Sequence, residues 1–168
     1  VISAPSHPPW MPALLEQNGF VKHIDCLSYQ LPVPQQIPAS LQAVSERILA
    51  SGLYKLIRFR NRREMKDWIL PVFELVNTTY RHLFGFMPMS DSEMQQMAKQ
   101  FLPVLDPAFT VLVADQQNKP VAFAIAMPDI SRGLQKSRGN LFPFGFIHLL
   151  RDMKTAKQLN LLLGAVRP

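Results

Sequence analysis

The stretch FTVLVADQQNKPVAFAIAMPD, residues 109–129, decides the fold of this chain. Two runs of small and β-branched apolar residues, Phe109–Asp115 and Pro120–Met127, are separated by four polar residues. This pattern is typical of an antiparallel hairpin with a solvated turn. We therefore expect an α/β (α+β) protein with a mixed, mostly antiparallel sheet flanked by helices.

The residues before the hairpin predict one strand and three helices. Tyr54–Phe59 is rich in β-formers and predicts a strand, followed by a basic, polar stretch. Asp67–Leu83 carries one apolar stripe at helical spacing, with Pro71 in its first turn, where a missing N–H costs little. Ser90 and Glu93 have the spacing of a capping box, which predicts a helix to about Phe101. An earlier helix is expected over Leu41–Ala50, with Ser40 as N-cap and Gly52 as its C-terminal stop.

The residues after the hairpin predict a long loop and a last strand. Pro128–Lys157 contains several glycines and aromatics, and only a short helix, Phe146–Lys154, is expected within it. Leu159–Val166 (LNLLLGAV) is almost continuously apolar, as in a central strand covered on both faces. A central strand needs a neighbour on each side, so we expect an internal fragment of a longer polypeptide, truncated after this strand.

The amino-terminal region predicts a second, smaller unit. Val1–Pro12 is proline-rich and loop-like, and Ala13–Asn18 predicts a helical turn. Gly19 is expected to stop that turn in the left-handed conformation, before a strand over Phe20–Leu31. The prolines that follow make residues 31–40 the expected boundary between the two units.

The composition indicates a folded protein of a reducing compartment. Apolar residues make up 48% and charged residues 18% of the 168 residues, enough to bury a core. The single cysteine, Cys26, cannot form an internal disulfide, and neither an apolar run of membrane-spanning length nor a secretory signal is apparent. A cytoplasmic location is therefore expected. The formal charge of +6 favours anionic partners and leaves nucleic acid, anionic lipid and a phosphate-rich cofactor open.

The order of elements from Tyr54 onward resembles the first two thirds of an acyl-CoA N-acyltransferase of the GNAT superfamily. The hairpin VADQQNKPVAFAIAMPD is similar to that family's strand, polar turn and Gly- or Ala-rich strand, and the ending GAVRP is similar to its fourth strand. The resemblance covers about 115 of the 168 residues. Residues 13–31 are similar to the end of another such lobe. The resemblance thus implies two units: residues 1–38, the end of a preceding lobe with its linker, and residues 39–168, the beginning of a second.

The resemblance also implies a cofactor and a site. Acetyl-CoA, or another acyl-CoA, would be held at Gly164, Ala165, Val166 and Arg167, where backbone donors of the last strand polarise the thioester carbonyl. The family's pyrophosphate-binding loop should follow this strand, and the sequence ends before it. The acidic residue that many members place on this strand is also missing, so no general base and no other catalytic residue is identified.

The acceptor side of the site rests on three residues. Asp129 could face the acceptor, a small-molecule or peptide amine, although an aspartate after proline also begins turns. Phe142 and Phe144, in the aromatic loop LFPFGF between two groups of cations, are candidate substrate contacts. No histidine pair has metal-ligand spacing, so no metal site is predicted.

The sequence leaves three functions open. The first is N-acyl transfer from acetyl-CoA to an amine. The second is a catalytically silent module of the same fold that binds a partner, and a homo-oligomer is left open. The third is a nucleic-acid-binding domain using Arg58, Arg60, Arg62, Arg63 and Lys66, with Phe59 as a stacking platform. The lack of a helix-turn-helix or RNP-type pattern argues against the third.

Overall fold

One antiparallel sheet organises the chain. The computed structural model describes residues 7–103, 105–140 and 142–168. The sheet has the order β1-β2-β3-β4, and each strand is antiparallel to its neighbours. The strands are β1 (Tyr54–Arg58), β2 (Thr110–Asp115), β3 (Pro120–Pro128) and β4 (Leu159–Val166). The predicted hairpin is confirmed, as is its placement beside the last strand in a single sheet.

Helices occupy the connections between these strands. Within the described ranges they are α1 (Trp10–Gln17), α2 (Ala39–Ala50), α3 (Arg62–Lys66), α4 (Ile69–Thr79), α5 (Asp91–Phe101), α6 (Ser131–Ser137) and α7 (Gly145–Thr155). The α/β fold class is therefore confirmed. The structure adds α3 and α6, both of which fall in stretches that the sequence analysis leaves without a helix.

The core lies between α4 and one face of the sheet. Leu112 on β2 is 1% exposed and pairs across the sheet with Phe123 on β3. Leu75 and Val76 of α4 join the same buried cluster, as does Ala165 of β4. Every second residue of β2 is buried, which is the alternation expected when helices cover one face of a strand. The core therefore ties α4 to the strand that holds the predicted acyl site.

The start of α5 shows the predicted pairing of Ser90 with Glu93. The Glu93 carboxylate accepts hydrogen bonds from the Ser90 backbone N–H at 2.8 Å and from its hydroxyl at 2.7 Å. These contacts belong to the predicted capping box, in which the Ser90 side chain also meets the Glu93 backbone N–H. These bonds lower the pKa of the Glu93 carboxyl, with the Ser90 hydroxyl as the main cause.

Three predictions about the first 50 residues are wrong. The loop expected over Val1–Pro12 is contradicted at its end, because α1 begins at Trp10 and holds Pro12 in its first turn, where a missing N–H costs little; residues 1–6 lie outside the described residues. Phe20–Leu31 is not a strand but an irregular, solvent-exposed segment, in which Val21 is 90% exposed. Its apolar residues favour extended backbone, but no strand of the described chain pairs with it. Ser40 is not the N-cap of α2, because the helix begins one residue earlier, after Pro38. The predicted left-handed glycine at Gly19 is confirmed, with φ of 86°.

The prediction that β4 is a central strand covered on both faces is also wrong for the described residues. It pairs with β3 alone, at the edge of the sheet, and Leu161 is 69% exposed. The prediction was wrong because an apolar run indicates burial but does not show how many faces of the strand are buried. Here only one face of β4, the one that carries Ala165, is covered. The outer edge of β4 therefore keeps backbone groups that no strand in the described part of the chain pairs with.

Candidate functional site

The outer edge of β4 is the candidate site, and Gly164 lies near its end. The hydroxyl of Tyr80, the residue that ends α4, donates a hydrogen bond to the Gly164 carbonyl oxygen at 2.7 Å. The Tyr80 hydroxyl oxygen in turn accepts a hydrogen bond from the Gly164 backbone N–H at 3.4 Å. Both backbone groups of Gly164 therefore point away from β3. Since backbone groups alternate along an antiparallel strand, the N–H of Val166 points to this outer edge as well.

The other two residues of the predicted cofactor set are positioned differently. Ala165 is 8% exposed, and its side chain lies in the core. The Arg167 backbone N–H donates to the Val121 carbonyl oxygen at 2.7 Å, so its backbone belongs to the pairing with β3. Its guanidinium donates to the Pro120 carbonyl oxygen at 2.8 Å. Of the four residues, Gly164 and Val166 are thus the ones whose backbone N–H groups face the outer edge, and the N–H of Gly164 is engaged by the Tyr80 hydroxyl.

A register shift marks β4 just before the site. Ile125 pairs with Leu163 while Ala126 pairs with Leu161, which leaves Leu162 as the extra residue. A bulge of this kind bends a strand and increases its twist, and bulges are common beside active sites. The bend lies two residues before Gly164. It therefore separates the part of β4 that carries the outward donors from the part that begins the strand.

A cleft of about 350 Å³ lies next to the carboxyl end of β4. It is formed between α4 and the turn that joins β2 to β3. Its lining residues are Pro71, Glu74, Leu75, Thr78, Asn118, Lys119, Pro120 and Arg167. Two cations, Lys119 and Arg167, meet one carboxylate here. Positively charged side chains thus line a ligand-sized cleft close to the candidate site.

Asp129 lies far from Gly164. It follows Pro128, which pairs with Leu159, and Gly164 is five residues further along β4, about 16 Å away at the usual strand rise. Its carboxylate accepts hydrogen bonds from the Ser131 hydroxyl at 2.5 Å and the Ser131 N–H at 3.2 Å. The Ser131 hydroxyl is the main cause of the lowered pKa of the Asp129 carboxyl. Asp129 therefore fixes the beginning of α6 and is a weakened base.

Phe142 and Phe144 also lie away from the candidate site. They belong to the connection between α6 and α7 and are 86% and 69% exposed. The cleft beside β4 is lined by neither of them. The structure thus does not bring the predicted acceptor residues together with the predicted cofactor residues.

The basic group after β1 does not form the platform suggested for nucleic acid. Phe59, the expected stacking residue, is 9% exposed and belongs to the core. The Arg62 side chain donates to the Leu105 carbonyl oxygen at 2.7 Å. A buried ring cannot stack on a base, so the stacking role of Phe59 is wrong.

Tyr80 is the residue of the site that the sequence analysis missed. It is separated from Gly164 by 84 positions, and nothing in its local sequence marks it. Its ring packs edge-on against Phe86, with 5.6 Å between centroids. Only the packing of α4 on the sheet brings its hydroxyl to β4.

We expect Tyr80→Phe to lower the free energy of unfolding by about 1 kcal/mol, because the ring contacts persist and one partly buried hydrogen bond is lost. Urea unfolding of the intact protein measures this. Tyr54→Phe is the matched control, since Tyr54 is 38% exposed and should change stability little. Equal losses in both variants would mean that the bond to Gly164 contributes nothing specific.

Comparison with known proteins finds relatives that extend well beyond this chain. The chain is 29% identical over 153 residues to Protein YghO of Escherichia coli, covering 90% of the chain and 38% of that protein. It is 24% identical over 140 residues to a bacterial ceramide synthase of Caulobacter vibrioides, covering 83% of the chain and 36% of that protein. The chain thus spans little more than a third of these relatives. No protein-family model matches it.

Proposed function

We propose that this chain is part of a GNAT-type N-acyltransferase, which moves an acyl group from coenzyme A to an amine. The observation that carries the proposal is the outer edge of β4. There Gly164 and Val166 direct backbone N–H groups away from β3. Acyl transfer needs such donors, aimed at the carbonyl oxygen on which negative charge develops.

The element order supports the same proposal. Strand β1, the helices α3 to α5, the hairpin β2–β3 and the strand β4 follow one another in the order that the GNAT resemblance implies. The helix pair α6–α7 is an addition between β3 and β4. Fold likeness alone does not establish chemistry, so the proposal depends on the edge donors more than on the topology.

The name of the Caulobacter relative agrees with amide formation. A ceramide is an amide of a fatty acid with a long-chain amino alcohol, so a ceramide synthase acylates an amine. For this chain we infer the same reaction class, with a long-chain amine as the first acceptor to test. The acyl length is left to the experiment.

The chemistry asks little of the protein beyond positioning and polarisation. An acyl-CoA supplies a thioester whose carbon is attacked by the amine nitrogen. The C–N bond forms, the C–S bond breaks, the nitrogen loses a proton and the departing sulfur gains one. Gly164 and Val166 would donate to the carbonyl oxygen. The Tyr80 hydroxyl lies at the same edge, against the Gly164 backbone, and we propose it as the proton donor to the departing sulfur.

The cleft beside β4 has some, but not all, of the features that would bind the phosphates of coenzyme A. Arg167 and Lys119 line the cleft beside β4 and are cations of the kind that phosphate prefers. Glu74 lies in the same cleft and opposes an anion there. Arg167 also lies 3.9 Å from the Asp115 carboxylate and is thereby partly neutralised. These two cations would hold a phosphate at the end of β4, with Glu74 limiting the affinity.

The decisive experiment removes one backbone donor without removing a strand pairing. Val166→Pro deletes the outward N–H, and proline is tolerated on an edge whose N–H faces outward. Val166→Ala is the matched control, since it keeps the N–H and removes the same exposed side chain. We expect kcat for thiol release, measured on the intact protein with acyl-CoA and a long-chain amine, to fall about 100-fold in V166P. The V166A rate should stay near that of the parent.

Equal rates in the two variants would exclude Val166 as a donor to the thioester. Thermal unfolding of both variants shows whether the strand survives the proline.

A catalytically silent module is the second candidate, and a specific contact favours it. The Tyr80 hydroxyl already satisfies both backbone groups of Gly164, so Gly164 can donate to a ligand only when Tyr80 moves. In a silent module, neither the parent protein nor Tyr80→Phe releases thiol from acyl-CoA. In the enzyme, Tyr80→Phe lowers kcat, because the proposed proton donor is lost.

A further inference from the structure

Most of the net positive charge of the chain lies in one segment. Residues 130–158 contain six Lys or Arg and one acidic residue, Asp152, so 29 residues carry +5 of the formal +6. This segment forms α6, α7 and their connection. All six cations are exposed: Arg132, Lys136, Arg138, Arg151, Lys154 and Lys157. The remainder of the chain is thus close to neutral, and an anionic partner should meet this segment first.

None of these cations is used inside the protein. Among the described residues the ion pairs are Lys22–Asp25 and Arg167–Asp115, and both lie outside the segment. The carboxylate of Asp152 accepts a hydrogen bond from the Gly133 N–H, and so it faces the neighbouring helix. The positive charge of the segment therefore remains available to an external partner.

Exposed apolar side chains cluster at the amino-terminal end of α7. Phe142 is 86% exposed and Phe144 is 69% exposed, and both lie within the three residues before the helix. Phe146, Ile147 and Leu150, in its first two turns, are 44%, 49% and 53% exposed. We call these five residues the apolar tip. Large rings and branched side chains in water are costly, and a contiguous group of them usually marks an interaction surface.

The cations of α7 continue the same exposed face. Phe146, Leu150 and Lys154 are spaced four residues apart, and so are Ile147 and Arg151, so each row runs from apolar to basic along one side of the helix. Leu149 and Met153 lie on the other side and are partly buried. Lys154 is eight residues from Phe146, about 12 Å along the helix axis. A helix with an apolar end followed by cations has the polarity of a bilayer surface, where hydrocarbon is followed by charged headgroups.

The α6–α7 pair is held together closely enough to present this face as a unit. At Gly133 a Cβ atom would lie 2.8 Å from the His148 carbonyl oxygen, so the two helices approach with no side chain between them. The hydrogen bond from Gly133 to Asp152 adds a polar link at the same crossing. The apolar tip therefore projects from a fixed support.

We propose that the α6–α7 pair docks on the surface of an anionic phospholipid bilayer, with the apolar tip inserted among the acyl chains and the cations on the headgroups. Membrane-surface helices combine an apolar face of Phe and Leu with Lys and Arg, and their apolar face enters about 5–10 Å deep. This is attachment to one leaflet. In the described part of the chain no helix is long and apolar enough to cross a bilayer.

The positive charge alone would suit an acidic protein as well as an anionic bilayer. The apolar tip favours the bilayer. Two clefts of the described surface lie beside β4 and beside the β2–β3 turn, and none of the five tip residues lines either of them. A protein partner would have to supply a pocket for each ring. A bilayer accepts them without shape complementarity.

Vesicle binding of the intact protein tests the proposal without any acyl-CoA, so its outcome is independent of the acyltransferase proposal. Flotation with vesicles of phosphatidylcholine containing 30% phosphatidylglycerol is compared with flotation on pure phosphatidylcholine. We expect binding to the anionic vesicles that weakens as salt rises. No binding to the anionic vesicles at low salt would overturn the proposal.

Variants separate the two parts of the face. Each cation near an anionic surface contributes about fivefold to binding, so Arg151→Gln with Lys154→Gln should weaken it about 30-fold. Arg47→Gln with Lys99→Gln removes two exposed cations elsewhere and should change binding less than about threefold. Phe144→Ser should weaken binding at least about tenfold, whereas Phe84→Ser, at a phenylalanine of similar exposure, should not.

A fluorescence measurement places the tip directly. After subtraction of the parent spectrum, which contains Trp10 and Trp68, the emission added by Phe144→Trp should shift to shorter wavelength on anionic vesicles, because the ring leaves water, and that added by Phe84→Trp should not. Identical effects of the test and control variants would overturn the proposal. So would binding to polyglutamate without binding to vesicles, which would assign the cations to an acidic protein.

Discussion

Replacing Leu112 with alanine should lower the free energy of unfolding by about 3 kcal/mol, the largest loss expected from a single side chain in this core. Leu112 is 1% exposed and lies between Ile57 of β1 and Phe123 of β3. The substitution removes three carbon atoms from a site enclosed by the sheet and α4, so the surroundings cannot fill the space. For a chain of this length we expect the midpoint of thermal unfolding to fall by about 10 °C.

The same substitution at an exposed leucine is the control. Leu161→Ala on β4 removes the same atoms from a side chain that is 69% exposed, and should change stability by less than about 0.5 kcal/mol. Urea unfolding gives both free energies, and an unchanged m-value shows that the unfolded state is not affected. A loss at Leu161 as large as that at Leu112 would contradict the assignment of the core to the α4 face of the sheet.

Local patterns predicted the hairpin and α5 well, because their signals are complete within a short window. In β2, buried and partly exposed residues alternate over six positions. The turn that follows β2 contains Asn118, whose φ is 58°. In α5, Ser90 and Glu93 are three residues apart and meet directly. Such features depend on neighbours in sequence, so one sequence suffices to recognise them.

Features that depend on distant partners were predicted less well. The apolar segment from Phe20 to Leu31 has the composition of a strand, but strand formation needs a second strand to accept its backbone hydrogen bonds, and none pairs with it among the described residues. For β4, hydrophobicity predicted burial on both faces, whereas Leu161 is largely exposed. Composition shows which secondary structures a segment can adopt, whereas pairing with another strand decides whether it forms a strand.

The candidate site shows the same limit. Gly164 was found through its resemblance to the end of an acyltransferase strand, but Tyr80 was not, since the two are brought together only when α4 packs on the sheet. For Asp129 the sequence allows either an acceptor contact or a turn residue, and its bonds to Ser131 show that it fixes the beginning of α6. A sequence motif identifies residue types, whereas the fold decides which of them meet.

Helix α6 was missed because of the residue that allows it to pack. Gly133 lies in the middle of its seven residues, and glycine lowers helix propensity by about 1 kcal/mol relative to alanine. The same missing side chain lets α6 approach the backbone of α7 at His148 and Leu149. Propensity counts only the cost of the glycine, and the packing that offsets this cost cannot be seen in the local sequence.

Gly133→Val should therefore be strongly destabilising, by about 3 kcal/mol, although valine forms helices more readily than glycine does. Its Cβ atom would lie 2.8 Å from the His148 carbonyl oxygen and 3.1 Å from the Leu149 Cα atom, and these backbone atoms can move only if α7 moves. We expect amide hydrogens of residues 145–155 to lose protection from exchange while those of β2 keep theirs. Gly164→Val is the control, since the nearest atom to a Cβ there is 3.4 Å away. Unchanged protection of α7 in the Gly133 variant would show that the two helices do not depend on their close approach.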